Sequence, residues 1–133
     1  LPDLFEYGEV RRAWLGIVSG RAVGKRLAQV LKLPVTEGFL IEEIARGSSA
    51  DIAGLRGGNR RVWAGNVPLI IGGDILVEIN GKPIRSARDI IRVRQGLRPG
   101  DEVEMVFYRG DRKITKRSEL VGRDHSPYRR FRF

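Results

Sequence analysis

Closely spaced turn signals divide this chain into short segments, and this spacing limits the possible folds more than any other feature of the sequence. Turns are indicated at Gly72-Gly73-Asp74, Asn80-Gly81, Arg98-Pro99-Gly100 and Arg109-Gly110. Between them lie short β-prone runs such as Ile75 to Ile79. No stretch approaches the ~18 consecutive apolar residues that a membrane-spanning helix needs. A chain of 133 residues with this pattern is expected to form one compact domain.

The hydrophobic patterns between these turns predict an α+β fold. We expect five to six short strands and two to three helices, arranged as a small sandwich or partly open barrel. Strand patterns occupy residues 10–19, 38–44, 75–79, 102–108 and 113–120, and residues 59–71 are predicted to form an inserted hairpin or a long ordered loop. Helices are predicted over residues 20–33, after the capping pattern of Ser48 and Asp51, and, after a second capping pattern of Ser86 and Asp89, from about Ala87 until Arg98-Pro99-Gly100.

The last predicted helix carries two neighbouring stripes. One stripe consists of Ile90, Val93 and Leu97, and the other of Ala87, Ile91 and Arg94. This spacing indicates that two faces of the helix are used.

The chain is strongly basic, with a formal net charge of +9, and 20 of its 25 basic residues are arginine. Several of these arginines lie on the last helix, and others alternate with aromatic residues in the tail after Leu120. Such groups can bind single-stranded nucleic acid or anionic lipid. Because the basic residues are spread along the whole chain, a solubilising role is favoured. Binding of nucleic acid or anionic lipid remains an alternative.

The composition argues against catalysis, metal binding and cofactor binding in this piece. There is no cysteine, and the single histidine, His125, lies near the polar end of the chain, where a Ser-His-Asp relay is hard to build. Neither a dinucleotide-binding nor a P-loop glycine pattern is present. We therefore predict no enzymatic activity and no cofactor or metal for the fragment.

Three segments together resemble the PDZ domain of HtrA (Deg) serine proteases. They are Trp14-Leu15-Gly16-Ile17, Ala50-Asp51-Ile52-Ala53-Gly54-Leu55, and the run from Gly73-Asp74-Ile75 through Asn80-Gly81-Lys82-Pro83-Ile84. The resemblance extends over residues 10–120 and implies a PDZ-like fold with the permuted strand order of this family. It also implies a module that binds C-terminal or extended apolar peptide segments by strand addition.

The resemblance implies a peptide-binding site near the start of the domain. The Trp14-Leu15-Gly16-Ile17 stretch would be the loop that binds the peptide's terminal carboxylate, and a residue without Cβ permits the close approach that converging amides need. The predicted site residues are the amide donors Leu15, Gly16 and Ile17, the strand residues Ile17, Val18 and Ser19, and the pocket residues Leu15, Ile17, Ala87, Ile90, Ile91 and Arg94. Taken singly, Leu15, Ile17 and Ile91 fit plain core packing equally well.

The resemblance also assigns roles to the remaining segments. Residues 1–9 would be a linker from a missing trypsin-like protease domain, residues 10–120 the PDZ domain, and residues 121–133 a basic, aromatic tail. The chain begins with Leu1 rather than Met, which suggests a piece of a longer protein. The resemblance implies that this protein lies outside the cytoplasm, either periplasmic or anchored to a membrane. Expected partners are peptide segments, the protease domain of the same chain, and a second copy through oligomer contacts or through the tail. Because the tail ends in an apolar residue, Phe133, it would fit a neighbouring molecule's groove.

Overall fold

The computed structural model of this chain describes residues 10–125, which form ten strands and three helices. The strands are β1 (Val10–Ala13), β2 (Ile17–Val23), β3 (Gly38–Ile44), β4 (Arg60–Ala64), β5 (Val67–Ile71), β6 (Ile75–Ile79), β7 (Lys82–Pro83), β8 (Glu102–Arg109), β9 (Arg112–Glu119) and β10 (Gly122–His125). The helices are α1 (Lys25–Leu31), α2 (Ser49–Ile52) and α3 (Ala87–Gln95).

The strands form one main sheet and two ribbons. The main sheet has the order β2-β3-β6-β8-β9, and β7 pairs with β6 beside this path. All its strand pairs are antiparallel. The inserted hairpin β4-β5 is a separate two-stranded ribbon, and β1 pairs with β10 in the other. The predicted α+β, PDZ-like architecture is confirmed, as a partly open arrangement rather than a closed barrel.

Apolar side chains lie on both faces of the main sheet, in two clusters. The larger cluster includes Phe39, Phe107 and the α3 residues Ile90 and Val93. The smaller cluster consists of Val23, Ala28, Leu40 and Ile75, with partly buried neighbours around them. The helices α3 and α1 therefore cover different faces of the sheet.

A buried ion pair connects the turn before β6 to the end of β8. Asp74 is 1% exposed and accepts hydrogen bonds from Arg109 Nε at 2.9 Å and Nη2 at 2.8 Å. The Asp74 carboxylate also accepts from the Arg56 amide at 2.8 Å, and Arg109 donates to the Gly54 carbonyl at 2.7 Å. Hydrogen bonding to Asp74 raises the pKa of Arg109, so the guanidinium is charged throughout the physiological range. The pair joins segments that lie far apart in the sequence.

Several local predictions are confirmed. The strand at residues 38–44 and the hairpin at residues 59–71 are present. Asn80 and Gly81 both have positive φ, as their hairpin turn between β6 and β7 requires. The Ser48 hydroxyl caps α2 by accepting from the Asp51 amide, while the Asp51 carboxylate accepts from the amide of Gly47. These features depend on residues that are close in the sequence.

Other predictions are wrong in detail. The helix predicted over residues 20–33 begins only at Lys25, because residues 20–23 belong to β2 and pair with β3 from Gly20↔Ile41 to Val23↔Gly38. Ser86 makes no side-chain cap on α3; the Asp89 carboxylate instead accepts from the Arg85 amide.

The first residues of the predicted tail belong to the sheet structure of the domain. Residues 122–125 form β10, whose register with β1 runs from Val10↔His125 to Ala13↔Gly122. The first and last described strands are therefore neighbours.

Candidate functional site

The connection between β1 and β2 is held by its carbonyl groups. The Trp14 carbonyl accepts a hydrogen bond from the Ser49 amide at 3.2 Å, and the Leu15 carbonyl accepts from the Ala50 amide at 2.9 Å. The Gly16 carbonyl accepts from the amide of Ala45 at 2.7 Å. Three consecutive carbonyls are thus directed toward the segment that begins α2.

This arrangement determines where the next three amides point. In a planar trans peptide the N–H is directed opposite to the C=O of the same unit. The N–H groups of Leu15, Gly16 and Ile17 therefore point away from the α2 segment. Among residues 10–125, the Leu15 and Gly16 amides have no hydrogen-bond acceptor. Consecutive amides that point to the same side can bind an anion.

The conformation of this loop depends on Gly16. Its φ is +84°, and a Cβ at this position would overlap the Cβ and Oγ atoms of Ser48. Ser48 is completely buried and donates a hydrogen bond to the Ala45 carbonyl at 2.7 Å. Both the backbone angle and the absent side chain are therefore required.

The strand that follows the loop is an edge strand. β2 is the first strand in the order of the main sheet, and in the part of the chain that the structure describes only β3 pairs with it. Helix α3 contacts β2. The loop, the edge strand and the helix are therefore neighbours.

The predicted pocket residues differ in exposure. Leu15 and Ile90 are 3% and 9% exposed and belong to the larger core cluster, against which Ile17 also packs. Ile91 is 47% exposed, and Ala87 is exposed beside it. Leu15 and Ile90 thus contribute as core residues beneath the surface, whereas Ile91 presents apolar surface to solvent.

The two predicted stripes of α3 are distinguished by burial. Ile90 and Val93 are buried, and Leu97 packs against the core. Ala87 and Ile91 of the other stripe are exposed, and Arg94 is partly exposed. Within residues 10–125 Arg94 forms no ion pair, although Arg85 and Arg92 both lie within 4 Å of Asp89. The second stripe is not used by the fold.

The strand residues Val18 and Ser19 lie where β2 departs from regular pairing. Val18 is 55% exposed and Ser19 partly buried, and the register with β3 shifts between Ile17 and Gly20. Such an irregularity increases the local twist of an edge strand. Both residues remain predicted contacts of an added strand.

The sequence did not reveal the residues that orient the loop. Ala45, Ser49 and Ala50 hold its carbonyls, and Ser48 lies under Gly16. The capping pattern of Ser48 and Asp51 located α2 but carried no information on its pairing with a loop more than thirty residues earlier. This contact is a product of the tertiary fold.

Two features are absent from the described residues. No helix among residues 10–125 is long and apolar enough to cross a membrane. Over the same range, His, Asp and Glu side chains form no group of three or more that could hold a metal ion. The tail predicted to dock in a neighbouring groove lies largely outside the described residues.

Comparison with known families assigns most of the described chain to one class. The family model of the PDZ domain matches residues 24–120. The chain belongs to the PDZ domain family.

Its relatives define the type of PDZ domain further. The chain is 31% identical over 120 residues to a probable periplasmic serine endoprotease DegP-like of Rhizobium meliloti, covering 90% of this chain and 21% of that protein. It is 30% identical over 119 residues to the periplasmic serine endoprotease DegP of Salmonella typhimurium, covering 89% and 22%. The chain thus spans about a fifth of the length of these relatives. The resemblance to HtrA-type PDZ domains is confirmed, and the relatives' periplasmic location agrees with the extracytoplasmic location predicted.

Solved structures agree on the fold. The HtrA-type protease AlgW with decapeptide superimposes with a TM-score of 0.65 at 24% identity, covering 92% of this chain and 33% of that one. The HtrA3 PDZ domain bound to a phage-derived ligand gives a TM-score of 0.67 at 20% identity, covering 93% and 99%. This chain therefore matches nearly all of the HtrA3 PDZ domain.

Proposed function

We propose that this chain is the peptide-binding PDZ module of a larger HtrA-like serine endoprotease. It captures C-terminal or extended apolar peptide segments by strand addition to β2. The parent protein uses this capture to regulate or direct proteolysis outside the cytoplasm, and hydrolysis is carried out by a trypsin-like domain elsewhere in that protein. The fragment itself is expected to cleave no peptide.

One observation carries the proposal: the amides of Leu15, Gly16 and Ile17 face away from the domain, next to an unpaired strand edge. A carboxylate is the ligand that best matches several converging N–H donors. Each hydrogen bond to such a charged group contributes about 1.5 to 3 kcal/mol before ordering costs. A peptide that ends in this loop continues along β2 with backbone hydrogen bonds that do not depend on its sequence.

The exposed stripe of α3 supplies selectivity for the last side chain. Ile91, with Ala87 beside it, faces Ile17 across the proposed groove, and Leu15 and Ile90 close it from beneath. Full burial of an apolar side chain contributes roughly 1.5 to 3 kcal/mol. Arg94, one turn beyond Ile91, favours ligands with an acidic or polar group near the terminus.

Relatives with bound peptides support this assignment. The AlgW structure contains a decapeptide, and the HtrA3 PDZ domain contains a phage-derived ligand. Both share the fold of this chain. The same mode of binding is the simplest use of the same loop and edge.

A library of random C-terminal peptides, measured beside amidated copies of the same peptides, tests the proposal. We expect peptides with an apolar last residue to bind with micromolar affinity, about −8 kcal/mol. Amidation removes the charge and one acceptor, so it should weaken binding by about tenfold or more. Equal affinity for the free and amidated peptides would contradict the carboxylate loop.

Salt dependence separates this proposal from binding of nucleic acid or anionic lipid. Contacts with several phosphates weaken steeply as the salt concentration rises, because counterions are released on binding. Strand addition with an apolar anchor should change little over the same range. A steep salt dependence, with tight binding of single-stranded oligonucleotides, would favour the alternative.

A further inference from the structure

A second groove lies between β2, α1 and the inserted hairpin, with a volume of about 610 Å³. Its apolar wall consists of Leu27 and Val30 from α1, and of Val67 and Leu69 from the hairpin. Arg21 and Arg26 also line it. Val30 and Val67 are 59% and 42% exposed, so the wall is open to solvent.

This groove is on the face of the sheet opposite to α3. Arg21 of β2 pairs with Leu40, and paired residues of neighbouring strands share a face. Leu40 belongs to the smaller cluster, together with Ala28 of α1. The next pair, Ala22 with Phe39, faces the larger cluster that contains the α3 residues. The two grooves therefore border the same strand from its two faces.

The basic residues of the second groove lack acidic partners. Arg21 donates from Nη2 to the Pro68 carbonyl at 3.3 Å, but its Nε is buried and has no acceptor. Arg21 is partly exposed, and within residues 10–125 it forms no ion pair with a carboxylate. Arg26 is exposed, and no acidic residue of the described chain lines this groove. The positive charges of Arg21 and Arg26 and the apolar wall beside them predict a ligand with a carboxylate next to an apolar side chain.

The geometry of strand addition connects this groove to the peptide site. An added strand that ends at Gly16 runs antiparallel to β2 and advances about 3.3 Å per residue. Since Arg21 is four positions beyond Ile17, the ligand residues opposite it lie about four to seven positions before the terminus. Alternate side chains of that strand face α1 and the hairpin, so residues separated by one position reach the same groove.

We propose that this groove is an upstream subsite of the peptide site, selective for an acidic and an apolar residue separated by one position. The inference rests on the proposed function, and it assigns the inserted hairpin a role in ligand selection. The chain's own tail has the wrong charge for this subsite, because it carries arginines at positions 129, 130 and 132.

Fluorescein-labelled decapeptides test this subsite. All share the C-terminal tetrapeptide chosen from the random library, and positions four to seven before the terminus carry Asp-Asp-Leu-Leu, Lys-Lys-Leu-Leu or Ser-Ser-Gly-Gly. Because each residue type occupies two consecutive positions, one residue of each type lies on either face of the added strand. We expect the Asp-Asp-Leu-Leu peptide to bind about tenfold more tightly than the Ser-Ser-Gly-Gly peptide, a difference of ~1.4 kcal/mol. The Lys-Lys-Leu-Leu peptide should lose most of this gain.

Three variants test whether the gain in affinity arises in the second groove. Arg21→Gln and Arg26→Gln should each reduce the gain, whereas Arg112→Gln removes the same charge at an exposed position in β9 and should preserve it. Since Arg21 bonds to the hairpin, its variant is compared with wild type by thermal unfolding. Arg26 is exposed on α1, so folding of the second variant is not in question.

The outcomes separate this inference from the proposed function. If the tetrapeptide binds only with a free carboxylate but the acidic and lysine extensions bind equally, the subsite is wrong and the proposed function stands. The subsite is also wrong if Arg112→Gln reduces the gain as much as Arg26→Gln. If the amidated tetrapeptide binds as well as the free one, the proposed function fails and this inference fails with it.

Discussion

Replacing Ile91 by alanine should weaken peptide binding while leaving the fold intact. Full burial of an isoleucine side chain contributes about 1.5 to 3 kcal/mol. Ile91 is 47% exposed in the free domain, so a ligand can cover only about half of it. Alanine retains Cβ alone, and the expected loss is ~1 kcal/mol, or about fivefold in Kd.

Fluorescence anisotropy with the best peptide from the C-terminal library measures this loss. Ile52→Ala is the matched control, because Ile52 is 60% exposed on a different helix, α2. Both substitutions remove the same atoms from partly exposed isoleucines in helices. Each should change the free energy of unfolding by less than about 1 kcal/mol.

Two outcomes of the comparison between Ile91→Ala and Ile52→Ala would contradict the predicted pocket. An unchanged Kd for Ile91→Ala would show that the second stripe of α3 is not part of the ligand site. An equal loss for both variants would show that the effect is not specific to the groove. Either result would refute the assignment of this pocket.

Three further substitutions test the framework by urea or thermal unfolding. Gly16→Ala should destabilise the domain by about 2 to 4 kcal/mol, because a positive φ is costly for alanine and the new Cβ displaces Ser48, which caps α2. A stable variant with wild-type peptide affinity would show that the loop does not require glycine at this position. Asp74→Asn should cost about 3 kcal/mol, because it removes the charge of a buried carboxylate that pairs with the partly exposed Arg109, whereas Glu104→Gln, in an exposed pair, should cost less than about 1 kcal/mol. Similar costs would argue against a structural role for the Asp74–Arg109 pair. Leu69→Ala should cost about 2 to 5 kcal/mol, since this hairpin residue is 1% exposed, and a negligible cost would mean that the hairpin is not anchored.

The sequence was informative where structure depends on neighbouring residues. The β3 strand and the turn at Asn80-Gly81 carry their signals within a few positions. So does the cap at Ser48, which combines with Asp51 only three residues later. The choice of the β1–β2 loop as a candidate carboxylate site came from the family resemblance, with which the glycine at position 16 agrees.

The remaining features depend on contacts between distant parts of the chain. Val23 fits a helical stripe with Leu27 and Val30, but it lies in β2 because that strand continues its pairing with β3 as far as Gly38. The ribbon of β1 and β10 joins Val10 to His125, and no pattern near either residue indicates it. The outward direction of the loop amides likewise depends on donors in and before α2. Pairing between distant strands therefore determined the structure of segments whose hydrophobic periodicity was ambiguous.

The ribbon formed by β1 and β10 has a consequence for how this domain can be placed within a longer polypeptide. Its register pairs Val10 with His125, so the chain enters and leaves at adjacent backbones, about 4.8 Å apart. A host protein can accommodate such a unit between two residues of a surface turn without spreading them. Circular permutants that join residues 10 and 125 through a short glycine-rich linker should therefore preserve the domain. So should fusion designs that insert residues 10–125 into a surface turn of a host protein.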